Sequence, residues 1–484
     1  MPSALALGVI GVCLVAEAAT LGVGIDDLDE GYFVQQALRL LHGQVPYLDF
    51  QTLYTPGLAT LHALLFWALG GPYLLAPRAL ALLARAGLCL GMYALTRPLV
   101  RRPLWAAAPS LFLLLVLDDA PERWEPHPGW LSTLFAVLAA WCLGHGSATR
   151  WLVGSGVAAG LAYLFKQNTG VFMLVAIVLW GLWPNGSTPR VSTSWGLSRA
   201  QSRRVFVPLA AFAAVTLVWL VPLMVAVRGQ VALLGSFVGA VNQAGLLSAP
   251  EASIAIPLLC LAAGVWLARR SSVDPRVRWY LLAGVALFCT QYPRMDTLHL
   301  AWSAPLLLVV GAITLDRLPS LAASVALAAG AVWLTGPTLG SRLDLLRQAS
   351  VPLSDVRFAS DVRAPVRTAA DLQGVVADIQ RRTRPGEPIF VYPTSPLLYA
   401  LTDRPNPTQF DHLNPGAATP RQIDGVLADL EAAHVGLVVI SDYWRAAWGQ
   451  SGPNAPLDVW LDTRCTEVAR YGAYRVLVTA YNRA

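Results

Sequence analysis

Four acids in five residues open the first polar stretch of the chain, Asp26-Asp27-Leu28-Asp29-Glu30. Capping a helix start needs one or two acids, and Asp27 and Glu30 have capping-box spacing. The remaining carboxylates exceed that need and suit a general base. A second acidic stretch, Asp118-Asp119-Ala120-Pro121-Glu122-Arg123-Trp124-Glu125, reads either as a solvated loop or as a second carboxylate facing the first. Lys166 is the single lysine beside 34 arginines. In so Arg-biased a chain it suggests a position that wants a compact ammonium, with interfacial snorkelling as the plain alternative. Arg294, Asp296 and His299 cluster in one short turn, and Glu17 and Arg85 interrupt apolar runs. The last two read as a buried ion pair or as a polar path to a lipid head group. Cations at a membrane edge suit a lipid phosphate, and carboxylates beside them suit proton removal. The pairing fits transfer of a group from a lipid-phosphate donor to a hydroxyl.

The elements that must position these groups are set by composition. Of 484 residues, 55% are hydrophobic and 13% charged, about half the ~25% usual for soluble proteins. This excludes disorder, a coiled coil and a small disulfide scaffold, and it points to a polytopic membrane protein. Residues 341–484 hold 15 Arg and 15 acidic residues, so the net charge of +6 belongs to the first 340. There it is a topology signal, not a nucleic-acid footprint. Cys13, Cys89, Cys142, Cys260 and Cys289 lie in apolar runs, Cys465 stands alone in the tail, and no spacing suggests zinc.

Spanning helices need ~17–25 mostly apolar residues. About eleven are predicted, near 3–25, 74–96, 103–117, 130–146, 151–167, 170–184, 206–227, 252–268, 279–293, 298–315 and 319–337. One set of loops holds Arg97, Arg101, Arg102, Arg150, Arg190, Arg199, Arg203, Arg204, Arg269, Arg270, Arg276, Arg278 and Arg317 against Asp274 and Asp316. By the positive-inside rule this set is cytoplasmic. The N-terminus is then inside, and the acids, Lys166, Arg294 and the tail are outside. Ala16-Glu17-Ala18 resembles a signal-peptidase site, but no basic residue precedes the run, which reads as a retained helix to Ile25. After Glu30, Val34, Ala37, Leu38 and Leu41 share one face and Gln35, Arg39 and His42 the other, predicting an amphipathic helix on the membrane surface. The apolar segment 58–70 is too short to span, and His62 in it reads as a packing residue. In the tail, helices are predicted at Thr368–Arg382 and Pro420–His434, and strands at Pro388–Tyr392, Val435–Ser441, Glu467–Arg470 and Arg475–Thr479. The fold class is therefore an all-α polytopic membrane domain, 1–340, followed by a small soluble α/β domain, 341–484, with no nucleotide-binding motif.

At Asp29-Glu30-Gly31-Tyr32, Ala37, Gly43, Pro46-Tyr47-x-Asp49, Pro56-Gly57, Lys166-Gln167-Asn168 and Tyr292-Pro-Arg-x-Asp with His299, the sequence resembles the GT-C superfamily of integral-membrane glycosyltransferases. The protein O-mannosyltransferases and lipid A aminoarabinose transferases look most alike. The resemblance covers about residues 1–340. It implies a polyprenyl-phosphate sugar as donor, a hydroxyl acceptor, inversion at the anomeric centre and residence in the inner or plasma membrane, with the tail periplasmic or extracellular. It also implies that Asp29 is the base, with Glu30 and Asp26 beside it and a second acid from the next outer loop, for which Asp118, Asp119, Glu122 and Glu125 are equal candidates. Asp26-Asp27 just before the pair depart from the pattern, and either is an alternative base. Lys166, Arg294 and Arg85 are the expected phosphate contacts, and Tyr47, Asp49, Gln167 and His299 the expected substrate contacts. No cofactor is required for a monophosphate leaving group, although Asp26, Asp29 and Asp49 are able to hold a divalent cation. The rival readings are a non-enzymatic carrier or flippase of a polar lipid and a relative that binds lipid without activity. The inverted repeats common in transporters are not seen.

Overall fold

The computed structural model describes residues 2–116, 126–183, 197–230, 252–292, 295–317, 340, 344–413, 418–448 and 455–482. Asp118, Asp119, Glu122, Glu125, Arg294 and the expected span 319–337 lie outside the described residues.

The first part is helical: α1 Pro2–Ala18, α2 Asp29–Leu41, α3 Gly57–Leu69, α4 Leu75–Thr96, α5 Ala108–Val116, α6 Pro128–Gly144, α7 Thr149–Phe165, α8 Gln167–Leu182, α9 Arg199–Ala226, α10 Ala255–Ala268, α11 Pro275–Phe288, α12 Thr297–Ser303 and α13 Pro305–Leu315. The starts follow local chemistry. Pro128, Pro275 and Pro305 stand in first turns, where their missing N–H costs nothing. Ser198 and Gln201 form a capping box on α9. A core of small and aliphatic residues, among them Ala84, Leu88, Met92, Ala136, Ala140, Ala159 and Val309, joins α4, α6, α7 and α13. At one end of the bundle, Asp316 accepts the backbone N–H groups of Arg101 and Arg102 at 2.6 and 3.1 Å, fixing the turn after α4 to the end of α13.

The expected count of eleven spans is not recovered. Among the described residues, Leu75–Leu99 and Arg199–Ala226 are long and apolar enough to cross a membrane, and α12 with α13, bent by 75°, would make a third. Most other apolar segments do form helices, but of 17 residues or fewer. The run predicted to Ile25 also stops early. Helix α1 ends at Ala18, Thr20 Oγ1 donates to the Glu17 carbonyl, and Val23 bridges to Arg363. Glu17 thus sits at a helix end, where the chain turns toward the tail.

The tail contains β1 Ser350–Pro352, β2 Arg363–Pro365, α14 Val366–Arg382, β3 Ile389–Tyr392, α15 Leu397–Thr402, α16 Pro420–Ala432, β4 Leu437–Ser441, α17 Asp442–Trp448, α18 Ala455–Arg464, β5 Cys465–Tyr471 and β6 Tyr474–Thr479. Strand β3 pairs parallel to β4, and β6 runs antiparallel between β4 and β5, giving the order β3-β4-β6-β5. Alternation along the strands splits the core. Val391, Val439 and Val476 face α14, whereas Phe390, Val438, Ile440 and Leu477 face α16 and α18.

The α14 face does not end within the tail. Val34 and Ala37 of α2, Ala63 and Phe66 of α3, and Leu74 complete the same core. This corrects the expectation of an amphipathic helix lying on the membrane. The apolar face of α2 is buried against the tail, and Gln35 and Arg39 of its polar face are buried too: Arg39 pairs with Asp411 at 2.8 Å and donates to the Thr408 carbonyl at 2.9 Å, while His42 at the end stays exposed. A long-range carboxylate turned a nominally solvated face into an interface. Gly31 allows the approach: a Cβ there would lie 2.5 Å from the Leu397 amide nitrogen.

Candidate functional site

The acidic loop sits where the helical bundle, α2 and the tail meet, and each acid has a different environment. Asp26 is buried, and its Oδ1 accepts the amides of Leu28 at 3.0 Å and Asp29 at 3.2 Å, making the turn from which α2 starts. Burial, then the charges of Asp29, Asp27 and Glu30, push its carboxyl up to about 8. Asp27 accepts hydrogen bonds from Ser395 Oγ at 2.6 Å, Tyr474 Oη at 2.7 Å and Trp444 Nε1 at 3.2 Å. Glu30 is wholly buried in a two-point ion pair with Arg78, at 2.6 and 2.7 Å. Arg78 also donates to the carbonyls of Leu21 and Gly24. Asp29 is half-buried on the first turn of α2.

The Asp26 proton has a measurable consequence. Its folded value lies above the ordinary 3.8, so between about pH 4 and 8 the native state holds a proton that the unfolded chain releases. Stability therefore falls as pH rises through that window, by up to about 1.4 kcal/mol per pH unit, and levels off above it. Asp26→Asn keeps an Oδ1 acceptor for both amides and should flatten this slope. Thermal unfolding in detergent from pH 5 to 8.5 checks it; parallel curves for wild type and variant would assign the proton elsewhere.

One turn beyond Asp29, Phe33 shares its helix face and leads into an aromatic cluster. The Phe33 ring lies 5.8 Å from Tyr54 and 5.6 Å from His127. His127 accepts the Gly129 amide on Nδ1 at 2.8 Å, so the proton is on Nε2, which lies 2.9 Å from Tyr54 Oη. The His127 ring stacks on Trp302 at 3.7 Å and 2°. Lys166, buried at the break between α7 and α8 with φ −149° and ψ 111°, places Nζ 4.9 Å from the Trp302 ring centroid. His299 meets Trp302 edge-on at 5.1 Å, its Nδ1 2.6 Å from Asp296 Oδ1. Trp130 meets Trp302 at 5.9 Å, and the Arg85 guanidinium lies 4.1 Å from the Trp130 ring. Arg85 also pairs with Glu17 at 3.8 Å, joining α1 to α4 as the plainer sequence reading has it.

Lys166, His299 and, at one remove, Arg85 are thus brought together around Trp302, which His127 joins to Phe33 of α2. Three other expected contacts do architectural work. Tyr47, buried with φ 67°, donates to the Tyr54 carbonyl at 2.6 Å. Asp49 is exposed and closes its own turn onto the Val45 amide at 2.7 Å. Gln167 Nε2 donates to the Leu53 carbonyl at 2.8 Å. Gly57 lets this loop reach α7, since a Cβ would lie 2.5 Å from the Leu164 carbonyl oxygen. Among the described residues no three His, Cys, Asp or Glu side chains are grouped to hold a metal, Asp26, Asp29 and Asp49 included. Sequence reasoning missed Trp302, Trp130 and the Tyr54–His127 pair as site residues. The one available signal was His127-Pro128 at a helix start, since a polar residue before a first-turn proline is poised to cap.

Over its whole length this chain superposes on ArnT from Cupriavidus metallidurans bound to undecaprenyl phosphate, with a TM-score of 0.61, 16% identity and coverage of 100% of this chain and 99% of that one. AglB, the oligosaccharyltransferase of Archaeoglobus fulgidus in complex with an inhibitory peptide and a dolichol-phosphate, gives a TM-score of 0.55 at 13% identity, over 99% of this chain and 75% of that one. The arabinofuranosyltransferase AftD from Mycobacteria gives 0.54 at 13% identity, over 99% of this chain and 40% of that one. All three are GT-C superfamily membrane glycosyltransferases, and this chain has their fold. No family model and no curated protein matches the sequence.

Proposed function

We propose that this protein is a membrane glycosyltransferase that moves a sugar from a polyprenyl-phosphate donor to a hydroxyl acceptor, with inversion, at the outer face of the membrane. The observation that carries the reading is the buried Lys166 ammonium over Trp302, whose ring joins through His127 to Phe33 of α2, in a fold shared end to end with a protein bound to undecaprenyl phosphate. In this reading Asp29 takes the proton of the acceptor hydroxyl as its oxygen attacks the anomeric carbon. The bond from that carbon to the phosphate oxygen breaks, and its electron pair leaves with the phosphate. Lys166, with Arg294, stabilises the charge that builds there, where preorganised cations contribute most. Asp26, held protonated, does not compete for the acceptor's proton and leaves Asp29 to act as the base, a separation of roles that neighbouring carboxyls commonly show. The second acid is one of Asp118, Asp119, Glu122 and Glu125.

Losing one charge-assisted contact costs about 1.5–3 kcal/mol. Lys166→Met, which keeps the stem's packing, should therefore weaken undecaprenyl phosphate binding or turnover at least about tenfold. Unchanged affinity and rate would place the phosphate elsewhere. The sidedness rests on the arginine bias of the opposite loops. A reporter fused at residue 484 should register outside the cytoplasm, and a cytoplasmic signal would put the acids on the wrong face.

A further inference from the structure

We infer that Ser395, Trp444 and Tyr474 of the tail are positioning residues for the base, acting through Asp27. This rests on the reading of Asp29 as the base. Asp27 Oδ2 accepts Ser395 Oγ at 2.6 Å and Tyr474 Oη at 2.7 Å, and Oδ1 accepts Trp444 Nε1 at 3.2 Å. The main chain joins in, because the Leu397 amide lies 3.4 Å from the Asp27 carbonyl oxygen. Three neutral donors from three separate tail segments thus converge on one carboxylate, two residues before Asp29. Hydrogen bonds to an ionised acceptor are the strong kind, and three of them fix the carboxylate in direction as well as place.

What they fix is the start of α2. The helix begins through Asp26 Oδ1 and the amides of Leu28 and Asp29, a turn that spans Asp27. Asp27 thus anchors this turn in the tail, and the tail helps set where the turn sits. The bonds also satisfy a carboxylate that would otherwise compete with Asp29 for the acceptor's proton. The tail is on this account a structural part of the active site, not a cap over it.

Turnover is sensitive to placement at this scale: about 1 Å of misplacement costs up to 10²-fold. Tyr474→Phe, which removes one hydroxyl and keeps the ring, should lower kcat roughly 10-fold with the donor KM unchanged, and Asp27→Asn should do at least as much. The double variant should be no worse than Asp27→Asn alone, because both act through the same contact. Amide exchange supplies a readout independent of turnover. Protection at Leu28 and Asp29 should fall in Tyr474→Phe while that of α6 and α7 stays as in wild type. Additive losses in kcat, or unchanged protection at Leu28 and Asp29, would overturn the inference. If wild type turned over no polyprenyl-phosphate sugar while protection still responded, the clamp would stand and the proposed function would fall.

Discussion

Asp29→Asn should lower turnover at least about a hundredfold while leaving donor binding intact. A positioned base contributes ~10²–10⁴-fold, and it acts mainly in the transition state. The substitution is mild for the fold. The part of Asp29 that holds α2 is its backbone amide, bonded to Asp26 Oδ1, and Asn keeps it. The side chain is only half-buried and heads the face that leads through Phe33 to His127. A folded variant with near-normal turnover would remove Asp29 from the chemistry. If Asp26→Asn were then inactive, the base would be Asp26, whose raised value of about 8 would show as an activity limb near that pH.

Glu30 should behave differently, although it adjoins Asp29 in the motif. Glu30→Ala strands the fully buried Arg78 guanidinium, which the carboxylate meets at 2.6 and 2.7 Å. Breaking a buried ion pair from one side costs about 3–5 kcal/mol, so the variant should be recovered poorly or unfold at markedly lower temperature. Replacing both partners, as Glu30→Leu with Arg78→Met, removes the uncompensated charge and should restore stability. The restored protein should also turn over, because both Glu30 carboxylate oxygens are buried and committed to Arg78 and so are turned away from the chemistry. A double variant that folds but is inactive would give Glu30 a part in the chemistry.

The sequence reads well where the signal is local. Helix α14, observed at Val366–Arg382, lies within two residues of its expected start, and all four strands of the larger sheet fall where alternating or continuous apolar runs put them. The acids and the lone lysine are visible because unusual residue types mark them. What the sequence does not carry is partnership at a distance. The bonds from Asp27 to Ser395, Trp444 and Tyr474 span 368, 417 and 447 residues, and no periodicity points across such a gap. The polar face of α2 looked solvated because Asp411, which neutralises Arg39, lies 372 residues away. Trp302 was invisible for another reason. Buried in an apolar helix, it reads as core until His127, Lys166 and His299 are found around it. The span count is not confirmed by helix length among the described residues, and α1 halts at Ala18 in a run whose composition continues to Ile25.

The central claim is that Lys166, beside Trp302, receives the lipid phosphate. Cryo-electron microscopy of the full chain in nanodiscs with undecaprenyl phosphate tests it most directly. The account predicts phosphate density about 3 Å from Lys166 Nζ, beside Trp302 and on the Asp29 side of the bundle. Phosphate density at the opposite end, among Arg150, Arg203 and Arg204, with none at Lys166, would contradict it.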